Sequence, residues 1–194
     1  MNRVYARVFC LASMLVSPQL FAHTELLAND GFHAGLLHPL LGIDHTLVML
    51  GVGLLAATQR LVVAKQIITL FLLTIVLGAF LGIYGVQCAY VETAILLSLI
   101  VVGGLLLLGC KSVPQAILGS LIAISALLHG LVHGLEVQLS VSALSYLVGL
   151  VVATGLLLGV GFTLGLVLNR GKTRWIIHGV GACTSMLGAW LLFA

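Results

Sequence analysis

The sequence predicts an all-α, polytopic membrane protein with six transmembrane helices after a cleaved signal peptide, on three observations. Hydrophobic residues fill 61% of the 194 positions and charged residues only 7%, whereas a soluble domain carries about 25% charge. Beyond residue 37 the chain divides into six apolar runs, each near the ~20 residues that cross a bilayer. The basic residues outside the leader fall in alternate connections between those runs, as expected of a multi-pass chain. The net charge of +3 is small and its basic residues are scattered, which excludes a nucleic-acid surface.

The first element is the leader. Arg3 and Arg7 give a basic start, residues 8–16 are apolar, and Ser17-Pro18-Gln19-Leu20-Phe21-Ala22 supplies a cleavage region, the three parts of a secretory signal. The expected organisation is a signal peptide over 1–22, an external N-terminal segment over 23–37 and a six-helix domain over 38–194. Cleavage after Ala22 would leave His23 with a free α-amine beside its imidazole, a chelating pair that could capture metal together with His33.

The apolar runs are 38–58, 67–87, 93–110, 116–132, 144–168 and 175–193. In the first, Pro39 fits an opening helical turn, which sets His38 at the helix start and Asp44-His45 about 9–10 Å deeper. Burying an Asp in hydrocarbon costs at least about 2.5 kcal/mol, so it faces a partner, a cavity or an ion path. The second run carries Gly78 and Gly82 and the fifth carries Gly155 and Gly159, then Gly161 and Gly165, pairs four apart that let helix backbones approach closely. Glu92 opens the third run, His129, His133 and Glu136 close the fourth, and His178 lies in the sixth as an interhelical hydrogen-bonding residue. Cys10 leaves with the leader, and Cys88, Cys110 and Cys183 are too widely separated for a metal or disulfide framework, so they read as helix-packing residues.

Arg60 and Lys65 follow the first run, Lys111 the third, and Arg170, Lys172 and Arg174 the fifth. The positive-inside rule makes those connections cytoplasmic and places both mature termini in the periplasm, as export through a bacterial inner membrane also requires. His33, His38, Asp44, His45, Glu92, His129, His133 and Glu136 then gather in the outer half, an arrangement suited to an uptake vestibule.

His129, His133 and Glu136 stand at i, i+4 and i+7, within about 60° on one helical face, where imidazoles can share a metal ion and a carboxylate can offset its charge. Gly130 and Gly134 keep the adjoining surface low enough for another helix, with the first run as a candidate. His38 and His45 share a face but lie about 10.5 Å apart along a straight helix, so one ion cannot bind both unless the helix is broken. The expected arrangement is sequential, an outer relay at His38 and a deeper site at Asp44 and His45 completed by the fourth run. Met49, one turn beyond His45, could add a thioether, although methionine more often packs.

These motifs, His38-Pro39-x-x-Gly42-x-Asp44-His45-x-x-x-Met49, Val91-Glu92 leading to Ser98 and Gly103, and His129-Gly130-x-x-His133-Gly134-x-Glu136, resemble the HupE/UreJ proteins over the full length. The resemblance implies a six-helix permease for nickel or cobalt, linked indirectly to hydrogenase or urease maturation, with His38, Asp44, His45, His129, His133 and Glu136 as metal-path residues. His23, His33, Met49 and Glu92 are secondary candidates.

The expected function is a secondary permease or facilitator moving a divalent transition metal, nickel first and cobalt as the alternative, from periplasm to cytoplasm. The metal would be transported substrate, with no resident cofactor and no catalysis. No nucleotide-binding loop is present, since Leu166 stands where its first glycine would be. The bilayer is the other expected partner, with scope for a homo-oligomer. A membrane haem protein, an intramembrane metallohydrolase and a metal sensor or chaperone are the competing classes.

Overall fold

The structure is a computed structural model that describes residues 30–110, 113–137, 141–169 and 173–193. The expected signal peptide, His23, the start of the external segment, Lys111, Arg170 and Lys172 lie outside the described residues. The described chain is entirely helical: α1 Gly31–Leu41, α2 Ile43–Ala57, α3 Leu61–Ile83, α4 Val91–Leu108, α5 Gln115–Leu135, α6 Ala143–Leu168 and α7 Arg174–Phe193. The five from α3 to α7 are each long and apolar enough to cross a membrane, and α1 with α2 meet the same test together, although they are bent by 80° at their junction.

This junction corrects the expected straight first helix beginning at His38. The helix starts earlier, at Gly31, where the Asp30 carboxylate accepts a hydrogen bond from the Phe32 amide and caps the first turn. The His33 ring nitrogen, 2.7 Å from the same carboxylate, holds Asp30 below its ordinary pKa, with the Phe32 amide as the next cause. Pro39 therefore falls near the end of α1 rather than in an opening turn. The chain straightens at Gly42 (φ −77°, ψ 112°) and re-enters a helix at Ile43. Such a break leaves carbonyls without intrahelical partners, and neighbouring hydroxyls commonly satisfy them in membrane proteins. Here Thr46 Oγ1 donates to Pro39 O at 2.8 Å, across the break.

Glycines set how closely the helices pair. A Cβ on Gly78 or Gly82 of α3 would strike the backbone of α5, and one on Gly130 or Gly134 of α5 would strike the backbone of α3. The low surface beside the fourth-run histidines therefore receives α3, not the first run suggested as a candidate. Gly161 and Gly165 seat α6 on α2, Gly35 and Gly149 join α1 to α6, and Gly103 and Gly181 join α4 to α7. Gly155 and Gly159, expected at a crossing, meet no neighbour.

Helix α2 occupies the middle. Its Val48, Met49, Val52, Leu55 and Ala56 are fully buried, in one core with Phe71 and Ile75 of α3, Leu99 of α4 and Ile122 of α5. The second span begins at Leu61 rather than at 67 because the exposed Lys65 is accommodated inside α3. Of the cysteines expected to pack, Cys110 is buried, whereas Cys88 and Cys183 are exposed.

The two ends of the bundle differ. At one, Thr58, Gln59, Cys110, Arg174 and His178 line a shared small cavity, Asn169 Nδ2 approaches Ala57 O at 3.5 Å, and Arg60 follows α2. His178 Nδ1 bonds the carbonyls of Leu106 and Leu107 at 3.1 and 2.8 Å, the interhelical role expected for it. The remaining histidine-rich motifs converge toward the other end.

Candidate metal site

The break at Gly42 brings His38 and His45 to the same place. Their ring centroids are 6.2 Å apart, and both rings stand beside His133 of α5, at 4.9 and 4.6 Å. His129, one turn deeper on α5, lies 5.1 Å from His45. The sequential arrangement expected for a straight helix is therefore replaced by one cluster of four imidazoles. The spans whose contact the fourth-run motif requires meet through these side chains.

One nitrogen each from His38, His45 and His133 lie within 4.8 Å of one another. Atoms so spaced all fall within roughly 2.8 Å of a common point, and a metal–imidazole bond is about 2.0–2.1 Å long, so closure needs movements below about 1 Å. Among the described residues this is the one group of three metal-ligating side chains so close together.

The hydrogen bonds prepare free lone pairs. His129 Nδ1 lies 2.8 Å from Ser125 O. A carbonyl only accepts, so that nitrogen carries the proton, and a neutral ring then presents a bare Nε2. His45 Nδ1 faces Asp44 Oδ1 at 2.8 Å, an arrangement that likewise frees Nε2. His45 Nε2, His129 Nε2 and both ring nitrogens of His133 are buried without a hydrogen-bond partner. Buried polar atoms are normally paired, so this concentration of orphans in adjoining rings calls for a ligand.

The carboxylates hold the cluster from outside. Asp44, in the first turn of α2, also accepts the His45 backbone amide at 2.9 Å. A Cβ on Gly42 would lie 3.1 Å from Asp44 Oδ1 and 3.3 Å from the His45 ring, so glycine leaves this pair its space. Glu136 caps α5 and places Oε2 2.7 Å from His38 Nε2. The side chains of that pair are 45% and 41% exposed, whereas His129 and His133 are inaccessible, so the site opens at the His38–Glu136 edge.

The other candidates lie apart from the three-nitrogen group. His33 pairs with Asp30 at the surface, Glu92 is exposed in the first turn of α4, and Met49 is buried in the apolar core one turn beyond His45. Sequence reasoning missed the Gly42 joint, for which Pro39-x-x-Gly42 was the available signal. It also missed Ser125 as the acceptor that orients His129, and the buried, unpaired hydroxyl of Tyr146, neither of which has a sequence signature.

Residues 11–191 match the family described as HupE / UreJ protein. The chain is 34% identical over 192 residues to Protein HupE of Rhizobium leguminosarum bv. viciae, an alignment covering 97% of this chain and 98% of that protein. No solved structure matches. With the match spanning both histidine motifs and nearly the whole chain, the protein belongs to the HupE/UreJ family.

Proposed function

We propose that the chain is a permease that carries a divalent transition-metal ion, nickel or alternatively cobalt, from the periplasm into the cytoplasm. The observation that carries this reading is the trio His38, His45 and His133, in which buried His45 and His133 carry orphaned nitrogens and half-exposed His38 forms the open edge. Imidazole is a suitable ligand for both nickel and cobalt. In this scheme α1 and α2 form one broken span, giving six, and the bundle end bearing Arg60, Lys65 and Arg174 faces the cytoplasm. The histidine end then faces the periplasm with both mature termini, after signal-peptide removal.

An arriving ion meets Glu136 and His38 first. Glu136 offsets charge while water is shed, and His38 exchanges its carboxylate partner for the metal. His45 and His133 complete the trio, with His129 as the next donor inward. Neutral, exchangeable ligands keep affinity modest, which a transport site needs because tight binding would trap the ion. The membrane potential favours inward movement of a dication by about 4.6 kcal/mol per 100 mV. No catalytic step is needed, and supply of the metal to hydrogenase or urease maturation would be the downstream use. The close edge-to-face packing of the rings leaves no slot for a macrocycle between them, which disfavours the haem alternative.

Uptake of labelled nickel and cobalt by cells expressing the chain tests the reading. His45→Ala and His133→Ala are expected to reduce uptake to the empty-vector level. Parent cells that accumulate neither metal, with the protein correctly inserted, refute the permease, while full uptake by both variants refutes the site.

A further inference from the structure

The basic end of the bundle holds two soft donors that the histidine site does not use. Thr58, Gln59, Cys110, Arg174 and His178 line one cavity of about 20 Å³, the room that a single water molecule needs. A space this small brings its lining groups close to a common point. Two of them satisfy each other: Gln59 Nε2 donates to Thr58 Oγ1 at 2.9 Å, and Thr58 Oγ1 donates to Leu55 O at 2.7 Å. The cysteine and the histidine are held differently.

Both are anchored on the last turn of α4. The buried Cys110 thiol donates to Leu105 O at 3.6 Å and stands beside Thr58. His178 Nδ1 donates to Leu106 O and Leu107 O, carbonyls that the helix end leaves without intrahelical partners. A carbonyl only accepts, so Nδ1 carries the proton, and the neutral ring keeps a bare Nε2, as at His129. The anchoring carbonyls belong to residues 105–107, two steps of the helix or about 3 Å along its axis, so thiol and imidazole are held at one level.

We propose that Cys110 Sγ and His178 Nε2 form a second metal site, the exit station from which the translocated ion is released to the cytoplasm. The exit role rests on the permease reading and extends it to the opposite end of the bundle. Thiolate and imidazole are ligands of the softer divalent metals. Binding displaces the thiol proton to water, and the charge left on sulfur offsets part of the ion's charge. A reducing cytoplasm keeps such a thiol out of disulfides. Arg174 lines the same cavity, and its charge opposes that of the ion, so the pair holds the metal weakly, as a release step requires.

Cobalt(II) is the probe, because a thiolate bound to it gives a near-ultraviolet charge-transfer absorption that imidazole and carboxylate ligands do not. In the purified chain carrying Cys10→Ser, Cys88→Ser and Cys183→Ser, Cys110 is the remaining thiol, and cobalt is expected to raise the band. Adding Cys110→Ser should abolish it. His178→Gln keeps an N–H for the α4 carbonyls but has no imidazole nitrogen, and should weaken the cobalt affinity read from the band at least about tenfold. No band from the chain with Cys110 alone, or unchanged affinity in His178→Gln, overturns the site. The band should persist in a His45→Ala/His133→Ala background; its loss there would assign the signal to the trio and also overturn the proposal. Initial uptake of labelled nickel should fall several-fold in Cys110→Ser and in His178→Gln, and rates equal to the parent's in both overturn the exit role. Parent cells that take up no nickel overturn the permease reading and the exit role together, while the cobalt band still decides the metal site.

Discussion

At Asp44, what matters is the atom that its carboxylate meets. Oδ1 meets both the His45 amide and the His45 ring nitrogen, and Asp44 lies outside the three-nitrogen group, a geometry suited to orienting His45. Carboxylates in this position fix the ring tautomer and strengthen the donor, and their loss typically costs 10–100-fold in metal affinity. Asp44→Ala is accordingly expected to weaken nickel binding to the purified chain by about 10–100-fold, with Asp44→Asn, which keeps an acceptor, falling between it and the parent. Equilibrium dialysis reads this directly, and unchanged affinity in Asp44→Ala would end the orienting role. Asp44 was legible in the sequence as a costly polar residue in an apolar run. Its role was not, because whether a carboxylate touches an ion or a neighbouring ring depends on about 3 Å of local geometry.

The glycines make the corresponding case for the helices. Gly78, Gly82, Gly130 and Gly134 interlock α3 and α5, whereas Gly155 and Gly159 have the same spacing on α6 and touch nothing. Gly130→Ala is expected to destabilise the folded protein by about 1–3 kcal/mol through overpacking, while Gly155→Ala stays within about 0.5 kcal/mol of the parent. Thermal unfolding of the two variants in one detergent distinguishes them, and equal midpoints would remove the crossing from its proposed role. Spacing showed which helices could approach closely, but the partner is set by rotation about each helix axis, which hydropathy does not record when all faces are apolar. The same limit hid the Gly42 bend. A continuous apolar run reads as one straight span, and only the Thr46 bond to Pro39 O and the crowding of Gly42 by Asp44 and His45 show why the chain turns there.

For the whole molecule, the separation of a histidine end from a basic end makes orientation in the membrane a testable property. Apolar composition and alternating basic connections made the multi-helix architecture legible, since both follow from the bilayer as solvent. Convergence of the two histidine motifs was less accessible, because it depends on a bend and on how nonadjacent helices assemble. Native Cys88 lies exposed in the connection between α3 and α4, at the histidine end, and Gln59 lies beyond α2 at the basic end. A membrane-impermeant thiol reagent added to intact spheroplasts should label Cys88. In a Cys88→Ser background, Gln59→Cys should react only after the membrane is permeabilised. The reverse pattern would place the histidines toward the cytoplasm and overturn the proposed periplasmic entrance at the His38–Glu136 edge. Labelling sidedness shows which side the exposed His38–Glu136 edge faces, and together with the direction of labelled-metal uptake it decides whether that edge is an entrance or an exit.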